Sequence, residues 1–197
     1  MKPPRSLGLF GGSFNPVHSG HLVLAREARK TLRLDEVWFI PCARSADRKA
    51  LAPGALRLGW LKKALRGQEG LKACDLELKR GGISRTIDTL RELRECLGPQ
   101  VEFTLLLGQD QALRLPQWKE ADALPTLCRL AVFRRPGVAG AVPKGFKFQE
   151  VKAPILGISS SEIRAAIKKN RDISLWLPGA LPKDTSLLAC FGNTRKQ

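Results

Sequence analysis

A chain of 197 residues with 43% apolar content is long enough for one domain with a sizeable core and too apolar for intrinsic disorder. No apolar run reaches the length of a membrane span, and the opening Met1-Lys2-Pro3-Pro4 does not begin a signal peptide. The expectation is a soluble, cytoplasmic protein with no membrane partner. Thirty-four basic residues against 18 acidic ones give a net charge of +16, a field that draws in anionic substrates and would also suit RNA. The basic residues are spread along helices and at both termini, with no basic run of five and no aromatic RNA-binding motif, so nucleic acid remains the minor reading. Five cysteines (Cys42, Cys74, Cys96, Cys128, Cys190) form no CxxC pair, which fits a reducing compartment and no metal site.

In chain order, Leu7, Leu9 and Phe10 end a buried strand. Gly11 and Gly12 then allow a sharp turn and a close approach to a ligand, and Asn15-Pro16 is a turn signal. An amphipathic helix is predicted from about 20 to 32, and a strand buried on both faces at Glu36 to Pro41. The polar, basic segment Ala43 to Pro53 reads as mobile. A helix over Ala55 to Arg66 and a strand over Leu71 to Leu78 follow. Thr86 starts a helix that Gly98-Pro99 stops, and Val101 to Leu107 is a buried strand ending in Gly108-Gln109-Asp110. Beyond a broken helical region with Pro116 and Trp118 come a strand at Arg129 to Phe133 and a short one within 146 to 152. Ser159 to Lys169 reads as a helix, and Ser174 to Leu181 as a weaker helical piece.

Strands alternating with helices predict an α/β fold with a doubly wound, mostly parallel sheet. Residues 1–197 read as a single domain, with 159–197 a small C-terminal helical part packed on it. In such sheets the ligand lies beyond the carboxyl ends of the strands, where strand order reverses. The loops after Phe10 and after Leu107 are then the walls of the site. GxGxxG is absent from the first turn, which argues against a dinucleotide-binding site of the ordinary kind.

His18 and His21 are the only histidines, three positions apart at a helix start, so both imidazoles fall on one side. One reading is an N-terminal cap plus a packed side chain. A metal pair is another, but no third ligand lies near. The third is a pair of donors aimed at phosphate, beside backbone N–H groups that themselves favour an anion. Ser159-Ser160-Ser161-Glu162-Ile163-Arg164 has the spacing of a capping box, and a capped helix start still offers N–H groups to a phosphate, with Arg164 one turn in. Asp110 sits either as a helix cap or as a carboxylate for sugar hydroxyls, and Trp118 either in the core or under a ligand ring.

The run GGSFNPVHSGH resembles the HxGH nucleotidyltransferase superfamily, and Leu7 to Lys169 as a whole is most similar to the bacterial nicotinate-nucleotide adenylyltransferases. The resemblance implies a Rossmann-like nucleotidyltransferase fold. It also implies adenylyl transfer from ATP to nicotinate mononucleotide, giving nicotinate adenine dinucleotide and pyrophosphate in NAD biosynthesis, with Mg2+. Carried over by position, it implies His18, His21, Lys49 and Arg164 as catalytic residues. Gly11, Gly12, Ser13, Phe14, His21, Gly108, Asp110, Ile158, Ser160, Ser161 and Arg164 would hold ATP. Ser84, Arg85, Thr86 and Trp118 would hold the acceptor, and no protein metal site is implied. Arg85 stands where the family has tyrosine, Asn15 where many members have aspartate, Ser161 where it has threonine, and the C-terminal segment lacks the family's tyrosines. Nicotinamide mononucleotide or phosphopantetheine as acceptor, or a non-catalytic nucleotide- or RNA-binding role, are the competing readings. A homo-oligomer is left open.

Overall fold

The computed structural model describes residues 4–46, 50–134, 140, 143–154, 156–179 and 181–192. The elements are β1 (Ser6–Gly12), α1 (Ser19–Thr31), β2 (Glu36–Pro41), α2 (Gly54–Ala64), β3 (Leu71–Ala73), α3 (Leu76–Arg80), α4 (Thr86–Leu97), β4 (Glu102–Gly108), α5 (Gln109–Arg114), α6 (Leu124–Leu127), β5 (Arg129–Phe133), β6 (Phe148–Val151), α7 (Ser160–Lys168) and α8 (Thr185–Phe191). The six strands form one sheet in the order β3-β2-β1-β4-β5-β6, every pairing parallel. Strand order therefore reverses between β1 and β4.

Alternation along the central strands divides the core in two. Phe10, Val37, Phe39, Leu106, Ala131 and Phe133 point to the face that carries residues of α1, α2, α7 and α8. Leu7, Leu9, Ile40, Phe103, Leu105, Leu107, Leu130 and Val132 point to the face carrying Ile87, Leu90 and Leu93 of α4. Both faces being covered is why these strands are apolar at successive positions. Gly8 is a glycine for lack of room: a Cβ there would lie 2.8 Å from Leu34 Cδ1 and 3.1 Å from Val37 Cγ2.

Three sequence expectations need correction. The strand over 71–78 ends at Ala73, and Leu76–Arg80 is helical, because Thr89 and Arg80 take up the buried Glu77 carboxylate on that side of α4. The helical piece over 174–181 is instead a set of turns, followed by a 3-10 turn at Leu181–Lys183 and then α8. In the segment 43–53, residues 47–49, including Lys49, lie outside the described residues, while the remainder is tied down. Ala43 N–H donates to Ser84 Oγ at 2.9 Å and Ala52 N–H to Asn15 Oδ1 at 3.1 Å. All five cysteines are free thiols.

The C-terminal piece is held by one buried carboxylate. Asp184 caps α8 by accepting the Leu187 N–H at 3.1 Å, accepts Ser186 Oγ–H at 2.5 Å, and pairs with Lys63 of α2. Trp60 Nε1–H donates to Ser186 Oγ at 3.0 Å. Burial by itself would raise the Asp184 pKa, but the hydrogen bonds from Lys63, Ser186 and Leu187 outweigh it and hold the carboxyl at about 2. A depressed folded pKa stabilises above the unfolded value and is lost as pH falls through the folded one. Asp184 therefore contributes about 2 kcal/mol above pH ~4, lost by pH ~2. Thermal melts of the parent and Asp184→Asn should differ most at neutral pH, and the gap should close as pH falls from about 4 to about 2; a gap independent of pH would contradict the assignment.

Candidate active site

Strand order reverses where β1 and β4 lie side by side, and a cleft of about 580 Å³ opens there. Its floor is the ends of β1 and β4. Gly11 lines the cleft, and a Cβ built on Gly11 meets nothing within 4 Å, so the space above it is open. Gly12 is small for the opposite reason: its Cβ would lie 3.1 Å from the Phe14 ring. Phe14 is held at φ 45°, a region non-glycine residues rarely occupy. Its ring compensates by burying itself edge-on to Phe10 (5.8 Å) and against Phe39 (5.5 Å) and His21 (5.1 Å). Backbone strain held in place by packing is characteristic of ligand loops.

His18 and His21 adopt both local roles at once. His18 is the N-cap of α1 in an extended conformation, and its amide N–H donates to His21 Nδ1 at 3.2 Å. The rings lie 3.7 Å apart at 35°. An accepting Nδ1 leaves the proton of neutral His21 on Nε2, a donor on the far edge of the ring. His21 lines the cleft; His18 is buried behind it, 7% exposed, and does not line it.

Helix α7 reaches the same loop from the other end of the chain. Arg164 Nη1 donates to the Asn15 carbonyl at 2.7 Å and Nη2 to Ser161 Oγ at 3.1 Å. Ser160 Oγ donates to the Pro16 carbonyl at 2.8 Å. Ser159 closes the capping box, accepting Glu162 N–H at 3.2 Å while its hydroxyl donates to Glu162 Oε2 at 2.7 Å. Ile158 packs half-buried on the core beneath α1 and does not line the cleft. The start of α7 thus meets the loop after β1 at Asn15-Pro16, while Ser160, Ser161 and Arg164 themselves do not line the cleft.

Two further walls complete the cleft. On one side, the loops after β2 and before α4 are zipped by an Arg44–Ile83 bridge and a Ser84 N–H to Arg44 carbonyl bond of 3.1 Å. Ser84, Arg85 and Thr86 line this wall. Thr86 opens α4, whose first N–H groups have no helical acceptor of their own. On the other side are Gly108, Asp110 and Trp118. Asp110 accepts Gln111 Nε2–H at 2.9 Å, and Trp118 packs partly on the core while lining the cleft.

The cleft also contains groups that sequence reasoning missed: Arg44, Arg114, Gln117, Lys119 and the buried Glu77. Arg114 lies four residues after Asp110, one helical turn, and that spacing was the available signal. The thiol in the cleft, Cys42, is pushed up by burial, against the lowering effect of Arg57, and so is held protonated rather than as a nucleophile.

Gly11 and Gly12, expected to turn, instead end β1, in register with Ile40 and Pro41. An all-parallel sheet with this order, its cleft at the reversal and a glycine pair at the end of its first strand, is the architecture of a nucleotide-binding α/β protein. The chain belongs to the cytidylyltransferase-like family, whose model matches residues 9–166. It is 39% identical over 179 residues to a probable nicotinate-nucleotide adenylyltransferase of Shouchella clausii, covering 90% of this chain and 92% of the relative. A relative of the same description from Thermus thermophilus is 37% identical over 182 residues, covering 89% of this chain and 93% of its own. Among solved structures, Plasmodium falciparum nicotinic acid mononucleotide adenylyltransferase complexed with NaAD superposes with a TM-score of 0.74 at 24% identity, over 87% of this chain and 90% of that one. That likeness establishes the Rossmann-like nucleotidyltransferase fold. Among the described residues, no helix is long and apolar enough to cross a membrane.

The open space above Gly11 makes a prediction. Gly11→Val should keep the parent's melting temperature within about 4 °C and weaken nucleotide binding about tenfold or more. Unchanged nucleotide affinity in a folded variant would place the ligand elsewhere.

Proposed function

We propose that this chain transfers the adenylyl group of ATP to nicotinate mononucleotide, releasing pyrophosphate and forming nicotinate adenine dinucleotide in NAD biosynthesis. The observation that carries the reading is the convergence of Arg164 and Ser160 on the carbonyls of Asn15 and Pro16, next to the histidine pair. The relatives' shared description, over nine tenths of the chain, supplies the acceptor. In this reading residues 1–197 work as one unit, with 159–197 packed on it to bring Arg164 to the loop.

The acceptor's phosphate is already an anion at neutral pH, and it attacks the α-phosphorus of ATP while pyrophosphate leaves. No general base or acid is required of the protein. What the protein supplies is alignment of two repelling anions and charge on the oxygens of the transferring group. The backbone of Gly11, Gly12, Ser13 and Phe14 receives phosphate oxygens, His21 donates through Nε2, and His18 fixes the His21 ring. Arg164 and the N–H groups of Ser160 and Ser161 hold the far phosphates, and Lys49 would join them. Asp110 beside Gly108 accepts ribose hydroxyls. Trp118 stacks on the pyridine ring, while Ser84, Arg85 and Thr86 face its carboxylate.

Mg2+, arriving with ATP, would supply charge neutralisation on the phosphates, beside the donors of His21 and Arg164. Among the described residues no three His, Cys, Asp or Glu side chains cluster to hold an ion.

The test is a pyrophosphate-release assay with ATP and each of nicotinate mononucleotide, nicotinamide mononucleotide and phosphopantetheine. The nicotinate form should turn over best. His21→Ala should lower kcat about 10²–10³-fold, as loss of one preorganised oxyanion donor does. Trp118→Ala should raise KM for the acceptor about tenfold and leave that for ATP near the parent's. A fully active His21→Ala enzyme, or preference for another acceptor, contradicts the proposal.

A further inference from the structure

Arg57, on the first turn of α2, is 1% exposed, the most deeply buried charged side chain among the described residues. A buried cation ordinarily needs a carboxylate to offset its desolvation. Arg57 is instead met by main-chain carbonyls. Nε donates to Ala52 O at 2.8 Å, Nη1 to Ser13 O at 2.9 Å, and Nη2 to Cys42 O at 2.7 Å, with Ala43 O at 3.5 Å.

Those carbonyls belong to three different segments. Ser13 lies in the loop after β1, on the nucleotide side of the cleft. Cys42 and Ala43 lie after β2, and Ala43 N–H is held by Ser84 Oγ on the acceptor side. Ala52 N–H goes to Asn15 Oδ1, and the Asn15 carbonyl takes Arg164. A path of hydrogen bonds and short backbone links thus runs from Ser84 through Arg57 to Arg164.

We propose that Arg57 is a positioning residue for adenylyl transfer, a role that rests on the reaction proposed above. Its guanidinium touches neither substrate. It sets the distance between the wall that holds the donor's phosphates and the wall that holds the acceptor. The planar fork is essential, because one group must satisfy carbonyls approaching from several directions; a lysine offers a point charge without that geometry. Loss of the fork also frees carbonyl oxygens, with their partial negative charge, in the walls of an anion-binding cleft.

The signature follows from where each contact is made. Each substrate keeps the groups of its own wall, so binding of either alone survives. Their mutual alignment does not, and a misplacement of about 1 Å costs about 10²-fold in rate.

The experiment measures Arg57→Lys and Asn15→Ala in the full chain. The readouts are kcat at saturation of both substrates, Kd for ATP alone and for nicotinate mononucleotide alone by calorimetry, and near-ultraviolet circular dichroism for the fold. Trp60→Phe is the control: it alters the same helix, but the indole N–H goes to Ser186 rather than to the cleft loops. Arg57→Lys should lose about 10²-fold in kcat with both Kd values within about threefold of the parent. Asn15→Ala should show a smaller loss with the same split, and it carries the test should Arg57→Lys not fold. Trp60→Phe should lower Tm yet keep kcat. The proposal is overturned by kcat within about twofold of the parent in both variants, by a loss of affinity for one substrate that accounts for the whole effect, or by Trp60→Phe losing kcat in step with its Tm. The parent's turnover in the same series reports on the proposed reaction separately from the role of Arg57.

Discussion

A hydrogen bond between Arg164 and the carbonyl of Asn15 joins positions 149 residues apart, and the candidate site depends on the ends of the chain meeting there. Each end alone is an ordinary local structure. The first is a strand ending in two glycines and a short loop before a helix, the second a serine-capped helix start. Packing brings them together: Ile163, Ala166 and Ile167 of α7 bury into the same cluster as Phe10, Phe14 and Val17, which leaves Arg164 on the flank facing the first loop. Phe14 is the other half of this constraint. Its φ of 45° is tolerated because its ring sits between Phe10, Phe39 and His21, so the loop is fixed by the core rather than by its own turn chemistry.

The histidine pair illustrates why a structural and a functional reading need not compete. The same bond that caps α1, from the His18 N–H to His21 Nδ1, also selects the His21 tautomer and points its remaining donor away from the helix. His18 is buried, with its ring 3.7 Å from that of His21. A reaction that needs no proton transfer from the protein suits such a pair, since what it requires is a donor held in place in advance.

The central strands were legible because burial on both faces leaves runs such as EVWFIP and EFTLLLG with no helical period. The reversal point followed from the alternation of strands and helices, and with it the two loops that wall the cleft. What stayed hidden depended on distant partners. Glu77 reads as part of a strand until Thr89 of α4 and Arg80, one turn along its own helix, are seen to hold it. Helix α8 is short and its cap, Asp184, matters only because Lys63 and Trp60 lie against it. Arg57 carried no sequence signal at all: among 34 basic residues, nothing distinguishes the one turned inward to bind carbonyls. A basic composition suggested anionic ligands but could not say which charges face the cleft.

The most direct test of this account is a structure of the chain with a non-hydrolysable ATP analogue and nicotinate mononucleotide. The account predicts the triphosphate between His21 Nε2 and the Arg164 guanidinium, over Gly11, with the acceptor's ring on Trp118. Phosphates bound elsewhere on the basic surface, with the space above Gly11 empty, would contradict it.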